Sequence, residues 1–450
     1  MSHAARSNQH RHIRPAPRLI VPWGSAKTRD QRPFPMIWDS HAALNGHGII
    51  IGGSGSGKTH QLRRFLTCLA GSNAIVHLID PHGDIIPNAP HSSVRFGEST
   101  PYGLNPLEVS GDLDHGGPRK KANAFIGLLL RQMTLGDKQR AALFRLLIDL
   151  YARYGFEVED PRTWSLDYDP RTWARVRKRH PGIIDLRKHV YEKLKAMKFG
   201  LSGAASQRFE EVAKLQAQLN RLRLKNARGD DVEQALVKAK AAAMEAYGEA
   251  LEKLDTGKEL DDLLAWDSTD AIKGLYDRIE SLEQSGIFKG TAPNFDPGLN
   301  IRRYDLAPLT RTEQQIFVDC LLEQLFYDAK RRGEAQGPDT VIVIDEASIF
   351  LDDDDDHIIN IIIREARKFG VSLWLAAQEM NRFPKPVVQS TATKIILGVD
   401  STEQRSMERR LVLPDGMIGN IKPKISALVQ IRNSGRTDMS NTYYDVHLAA

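Results

Sequence analysis

Cysteine is almost missing: Cys68 and Cys320 are the only two in 450 residues. No disulfide framework can be built from one pair, and both lie in segments that read as helices. Two reduced thiols in a cytoplasmic setting are the expectation. Long apolar runs are missing too. No run reaches the ~18 residues of a membrane-spanning helix, and the polar stretch Met1–His12 has no signal-peptide core. Direct membrane insertion is therefore not expected, which leaves docking to a membrane complex through partners. Nothing is depleted enough to prevent folding. With 41% hydrophobic and 26% charged residues the chain can bury ordinary cores, and its length suggests two or three domains.

A surplus of acid is also lacking. The formal charge is +5 and the pI about 9.0, mildly favouring a polyanionic partner. The excess falls in two places. Residues 1–35 carry Arg6, Arg11, Arg14, Arg18, Lys27, Arg29 and Arg32 against Asp30 alone, with Pro15, Pro17, Pro22, Pro33 and Pro35. That composition predicts an extended or mobile basic arm. The second cluster runs from Arg171 through Arg175, Arg177, Lys178 and Arg179 to Lys198. Either alone reads as solvated surface; together they keep DNA open as a partner.

The apolar pattern places short buried strands at 48–51, 75–79, 299–306, 341–344, 373–377 and 395–397, with a last, alternating strand at 425–431. Helices are expected at 60–69 and, amphipathic, at 312–331. This order predicts an α/β fold with a mostly parallel sheet. Between 117 and 290 the pattern becomes helical and rich in Lys, Glu, Ala and Leu. Val212, Leu215, Leu219 and Leu222 step by three and four, as do Val232, Leu236, Ala239, Ala243, Tyr247, Ala250 and Leu254 beyond the break at Gly229. Two such stripes predict a coiled-coil hairpin over about 206–256, able to engage a protein partner. The division expected is a basic arm and first edge segment (1–47), a first core part (48–116), an all-helical insertion (117–290) and a second core part (291–450).

Chemistry enters at Gly52-Gly53-Ser54-Gly55-Ser56-Gly57-Lys58-Thr59. This is a GxxxxGK[ST] loop that follows an apolar strand and opens a helix. Its glycines let successive N–H groups curl inward around a phosphate. Lys58 is placed for the β- and γ-phosphates and Thr59 for Mg²⁺, so ATP and Mg²⁺ are the expected cofactors. Asp345 and Glu346 end the aliphatic strand 341–344, a position from which the first carboxylate reaches Mg²⁺ and the second polarises water. A lysine after the last glycine argues against a dinucleotide loop, and no NKxD guanine-reading motif is present.

In order along the chain stand GGSGSGKT, Asp80-Pro81-His82-Gly83-Asp84, VIVIDEAS at 341–348, ARKFGVSLWLAAQE at 366–379 and LGVDSTEQ at 397–404. Together they resemble the HerA–FtsK superfamily of RecA-like motors over about 48–116 and 291–450. The nearest look is to conjugative coupling proteins and type IV secretion ATPases. The resemblance implies a RecA-like core interrupted by a helical insertion and a homo-oligomer, a hexamer, that moves DNA in conjugation or other mobile-element transfer. It also implies that Gln378 senses the γ-phosphate and that Arg367 is an arginine finger. Coupling proteins of the family begin with membrane helices and its helicases with a β-barrel. Only segment 1–47 precedes the first core strand here, so a motor without those parts is expected. An ATPase driving protein export, or one serving a nuclease, are the alternatives. Leu201–Gln207 reads as a helix-capping segment with Ser206 as N-cap rather than a nucleotide signature. Asp352–Asp356 reads as an exposed loop whose charge favours the helix beginning near His357.

Overall fold

The structure is a computed structural model. It describes residues 13–28, 30–113, 116–171, 177–199, 269–434 and 442–449 and, with breaks, 208–252. The chain divides into two compact units, 1–105 with 285–450, and 106–284.

The first unit is built on one sheet of eleven strands in the order β2-β1-β11-β10-β9-β3-β8-β7-β4-β6-β5. The strands are β1 Ile20–Lys27, β2 Pro33–Asp39, β3 Gly48–Ile51, β4 Ile75–Asp80, β5 Ser92–Arg95, β6 Ile301–Asp305, β7 Thr340–Ile344, β8 Val371–Ala377, β9 Thr393–Ile396, β10 Ser426–Ile431 and β11 Tyr444–Leu448. From β9 to β5 every pairing is parallel, and β10, β11, β1 and β2 extend the sheet antiparallel. The central strands β3, β7 and β8 are buried along their whole length, which explains why they are short aliphatic runs without alternation. Helix α1, Lys58–Leu69, crosses from β3. Its Phe65 packs with Trp23, Trp38 and Trp374 in an aromatic cluster whose four side chains are fully buried. Deleting any one of these rings costs ~3–5 kcal/mol by the usual large-to-small scale. Gly48 is required beneath Trp374, since a Cβ there would stand 2.3 Å from the indole.

Three expectations need correction. The proline-rich segment is not a free arm where it is described. Residues 20–39 form β1 and β2, with a bulge between Pro22 and Gly24 and with Pro33 and Pro35 on the outermost strand. An edge strand tolerates proline because half its N–H groups have no ladder partner to lose. Second, β10 is buried at every residue rather than alternating, and it is not last, because β11 pairs beside it. Third, the helix Arg311–Arg332 (α7 below) is not amphipathic: Gln314, Asp319 and Glu323 are buried with its apolar residues. Gln314 donates to the carbonyls of Pro81 and Leu306, and Asp319 lies 3.3 Å from His357 Nε2.

Among its described residues the second unit contains helices α2 Pro118–Gln132, α3 Asp137–Arg153, α4 Ile183–Phe199, α5 Asp230–Glu252 and α6 Thr269–Gln284, and no strand. Ile272, Leu275, Ile279 and Leu282 of α6 bury one stripe, with Leu143, Leu146, Leu147 and Leu150 of α3 and Leu186 and Val190 of α4 also buried. Its ends fall at 106 and 284 rather than 117 and 290. Leu107 and Val109 are buried, and the Tyr151 hydroxyl donates to the Leu107 carbonyl, which ties the earlier residues to this unit. Ser206 and the hairpin's turn at 223–228 lie outside the described residues, and its first arm is described only with breaks. Of its second arm, Leu236, Ala239 and Ala243 are buried on α5. The remaining helices are α7 Arg311–Arg332, α8 Ile358–Glu365, α9 Lys385–Ser390 and α10 Ser401–Leu411.

Candidate functional site

The parallel strands β3, β7 and β8 lie side by side, so the segments leaving their C-terminal ends meet at one edge of the sheet. After β3 comes the glycine loop, after β7 the pair Asp345-Glu346, and after β8 Gln378. A cleft of about 310 Å³ at this edge is lined by Gly53, Ser54, Gly55, Gly57, Lys58 and Thr59 of the loop. His60, His82, Asp84, Asp345, Glu346, Gln378 and Lys424 complete its wall.

The loop is held from below. Gly52 N–H donates to the Ala377 carbonyl and Gly53 N–H to the Gly398 carbonyl. Gly55 and Gly57 have φ of +77° and +99°, the left-handed region glycine enters without strain. The Ser56 side chain turns inward under Gly52, where a Cβ would meet its hydroxyl at 2.3 Å. Among the described residues the amides of Gly55, Gly57, Lys58 and Thr59 have no acceptor. A set of converging N–H donors at a helix N-terminus is suited to an anion.

Lys58 Nζ lies 3.2 Å from Glu346 Oε2 and 3.5 Å from Asp345 Oδ1. Burial raises the Asp345 carboxyl above its usual range, opposed in part by Lys58, and Oδ1 has no hydrogen-bond partner among the described residues. A buried carboxylate oxygen with only a lysine at 3.5 Å, in the cleft that Thr59 also lines, fits a site completed by a cation and phosphate. No group of three or more His, Cys, Asp or Glu is placed to hold a metal among the described residues. A divalent ion here would thus take its remaining ligands from phosphate and water, as Mg²⁺ does.

Glu346 is the most constrained of the set. Burial would raise its carboxyl, but hydrogen bonds from Ser348, Lys58 and Gln378 outweigh this and hold it below its ordinary value. Ser348 Oγ donates to Oε1 at 2.7 Å, while Gln378 Nε2 donates to Oε2 at 3.2 Å. Its backbone is left-handed, φ 46° and ψ 48°. An ionised carboxylate so held can accept a proton or orient water.

Arg367 is not brought to this cleft. It sits in the turn before β8 and lines a separate cleft of about 530 Å³ with Gly46, Pro338, Lys368 and Val371. That is the far edge of the sheet, roughly a strand length of 20 Å away. The residues that the sequence reading left without a role are His60, His82, Asp84 and Lys424. For two of them the signal was present in Asp80-Pro81-His82-Gly83-Asp84. Asp80 is buried in an ion pair with Arg303 at 2.7 Å and accepts from the amides of Gly83 and Ile85. It thereby folds the loop that carries His82 and Asp84 to the cleft. Asp352–Asp356 are exposed, and His357, not an aspartate, caps α8 by accepting from the Ile359 amide.

Sheet order and glycine loop together define an α/β fold of the P-loop ATPase kind. No family model matches the chain, and no curated protein does. Solved structures do. The chain is similar to VirB4 of Thermoanaerobacter pseudethanolicus with a TM-score of 0.58 and 15% identity, over 96% of this chain and 96% of that one. It is also similar to the plasmid coupling protein TrwB, solved with the non-hydrolysable ATP analogue ADPNP. There the TM-score is 0.47 and the identity 12%, over 90% of this chain and 85% of TrwB. At such identities the likeness to VirB4 establishes the fold. Among the described residues no helix is long and apolar enough to cross a membrane.

Proposed function

We propose that this protein hydrolyses ATP with Mg²⁺ and uses the turnover in a homo-oligomeric ring motor that moves DNA in conjugation or mobile-element transfer. The observation that carries the enzymatic part is the meeting of Lys58, Thr59, Asp345, Glu346 and Gln378 in one cleft from three separate strand ends. In this reading the amides of Gly55, Gly57, Lys58 and Thr59, with the Lys58 ammonium, bind the phosphates. Thr59 and Asp345 would hold Mg²⁺. The metal supplies charge neutralisation at the phosphates when bound. Glu346, kept ionised by its donors, orients the attacking water, and Gln378 links it to the position of the γ-phosphate. Lys58 leaves the two carboxylates for the phosphates when nucleotide enters.

A second reading, an ATPase that powers protein assembly or export, is favoured by one specific observation. Several cations of the second basic cluster are engaged internally. Lys178 is buried and donates to the carbonyls of Thr163 and Tyr168. Arg171 pairs with Asp169, Arg179 with Asp185 and Arg187 with Glu283. Fewer charges are then available for a phosphate backbone than the sequence suggests. Steady-state ATP turnover with and without DNA, across a salt series, separates the two. We expect turnover that Lys58→Ala abolishes and DNA raises, with a DNA affinity that falls steeply as salt rises. Turnover indifferent to DNA in the assembled oligomer would transfer the reading to protein transport.

A further inference from the structure

Lys424 lies on the loop before β10, far in sequence from either nucleotide motif, and yet lines the cleft beside Gly55, Gly57, Lys58 and Thr59. Its backbone is left-handed, φ 67°, a conformation an L side chain adopts at a cost and which glycine would adopt freely. The surrounding contacts hold it there. Its N–H donates to the Ser56 carbonyl at 3.1 Å. On the other side, Lys422 N–H donates to Ser426 Oγ and Ser426 N–H to the Lys422 carbonyl, pinning the loop to the start of β10. The bare face of Gly57 accommodates it, since the Lys424 Cγ lies 3.4 Å from where a Gly57 Cβ would stand.

The charge balance gives this placement a purpose. Three carboxylates line the cleft, Asp84, Asp345 and Glu346, against two lysines. Lys58 already faces two of the carboxylates, whereas Lys424 makes no ion pair among the described residues. With both lysines the carboxylates outnumber the cations by one, and without Lys424 they would outnumber them by two, facing a polyanion. We infer that Lys424 is a second cationic ligand for the phosphate chain of the bound nucleoside triphosphate, presented beside the glycine loop by the segment before β10 of the same subunit. This rests on the nucleotide reading above. The left-handed backbone at 424 needs no side chain, and in this inference the ammonium contributes binding.

Glycine suits the left-handed backbone at 424, so Lys424→Gly removes the side chain and its charge without straining the loop, and Lys424→Arg restores both. The affinities of wild type, Lys424→Gly, Lys424→Arg and Lys58→Ala for a non-hydrolysable ATP analogue with Mg²⁺ are measured at low and at high salt. Melting temperature serves as the control on folding. Lys424→Gly is expected to melt at or above the wild-type temperature and to bind roughly tenfold more weakly at low salt, as loss of one charge-assisted contact implies. Its affinity should also depend less on salt, and Lys424→Arg should remain near wild type. Wild-type affinity and salt dependence in Lys424→Gly, with binding lost in Lys58→Ala, would overturn this inference alone. No binding by the wild type would overturn the nucleotide reading and this inference with it.

Discussion

Gln31, Glu346, Val412 and Lys424 are the non-glycine residues with positive φ among those described, and two of them face one cleft. Strain of this kind is invisible in a sequence, because it depends on what surrounds the backbone rather than on the residue's own preference. Pattern and spacing therefore revealed the glycine loop and the pair at 345–346, but could not reveal Lys424. Buried charge is similarly hidden. Lys394 looks like a surface residue of β9, yet it is 5% exposed and donates to the Thr391 carbonyl and Gln430 Oε1. Burial, with a smaller push from Arg432, brings its ammonium down to about 7. The unfolded chain, with an ordinary lysine, keeps a proton that the folded chain sheds above that pH. Stability should therefore rise from about pH 7 towards pH 10, with the full cost of the buried charge present below pH 7. Melting of wild type and Lys394→Met across this range isolates the effect from other titrations. We expect the wild type to gain on the order of a few kcal/mol over the variant. Parallel profiles would show that the amine keeps its proton.

At the scale of elements, the central strands and α1 were readable because burial on both faces demands uninterrupted aliphatic residues, and because a phosphate loop must join a strand to a helix. Edge elements were not. β1 and β2 carry prolines that suggest an arm, and β11, with only Val446 and Leu448 buried, is too short to give a clear alternation. The basic cluster misled for a different reason. Charge is visible in sequence but its partners are not, and Lys178 proves to be an internal anchor, stacked 4.3 Å from the Phe156 ring centre. Neutralising it would disturb folding rather than report on DNA. The hairpin expected over 206–256 remains a proposal for partner or cargo engagement. Replacing 207–255 with a short Gly/Ser linker should leave basal ATP turnover within about twofold, since no residue of the cleft lies there; such distant changes usually act independently. Binding of partner or transport in the native system should weaken. Loss of basal turnover in a well-expressed deletion would show that the segment is packed into the catalytic unit.

At the scale of the whole molecule, a cleft at strand ends is open to water unless something covers it, and Arg367 stands at the opposite edge of its own sheet. That placement suits a residue acting on a neighbour's nucleotide in a ring, a hexamer by the resemblance. Mixing Arg367→Ala subunits with Glu346→Gln subunits should restore part of the turnover that each lacks alone. The intact cleft of the first would then receive an arginine from the second. No gain in any mixture would place the finger elsewhere. The central claim is that Glu346 serves hydrolysis and not nucleotide binding, and Glu346→Gln tests it most directly. Nucleotide binding and single-turnover hydrolysis are to be measured on the same preparation. The account predicts ATP held at least as tightly as by the wild type and hydrolysed ~10²–10⁴-fold more slowly, as expected for loss of a general base. Hydrolysis at the wild-type rate would contradict it.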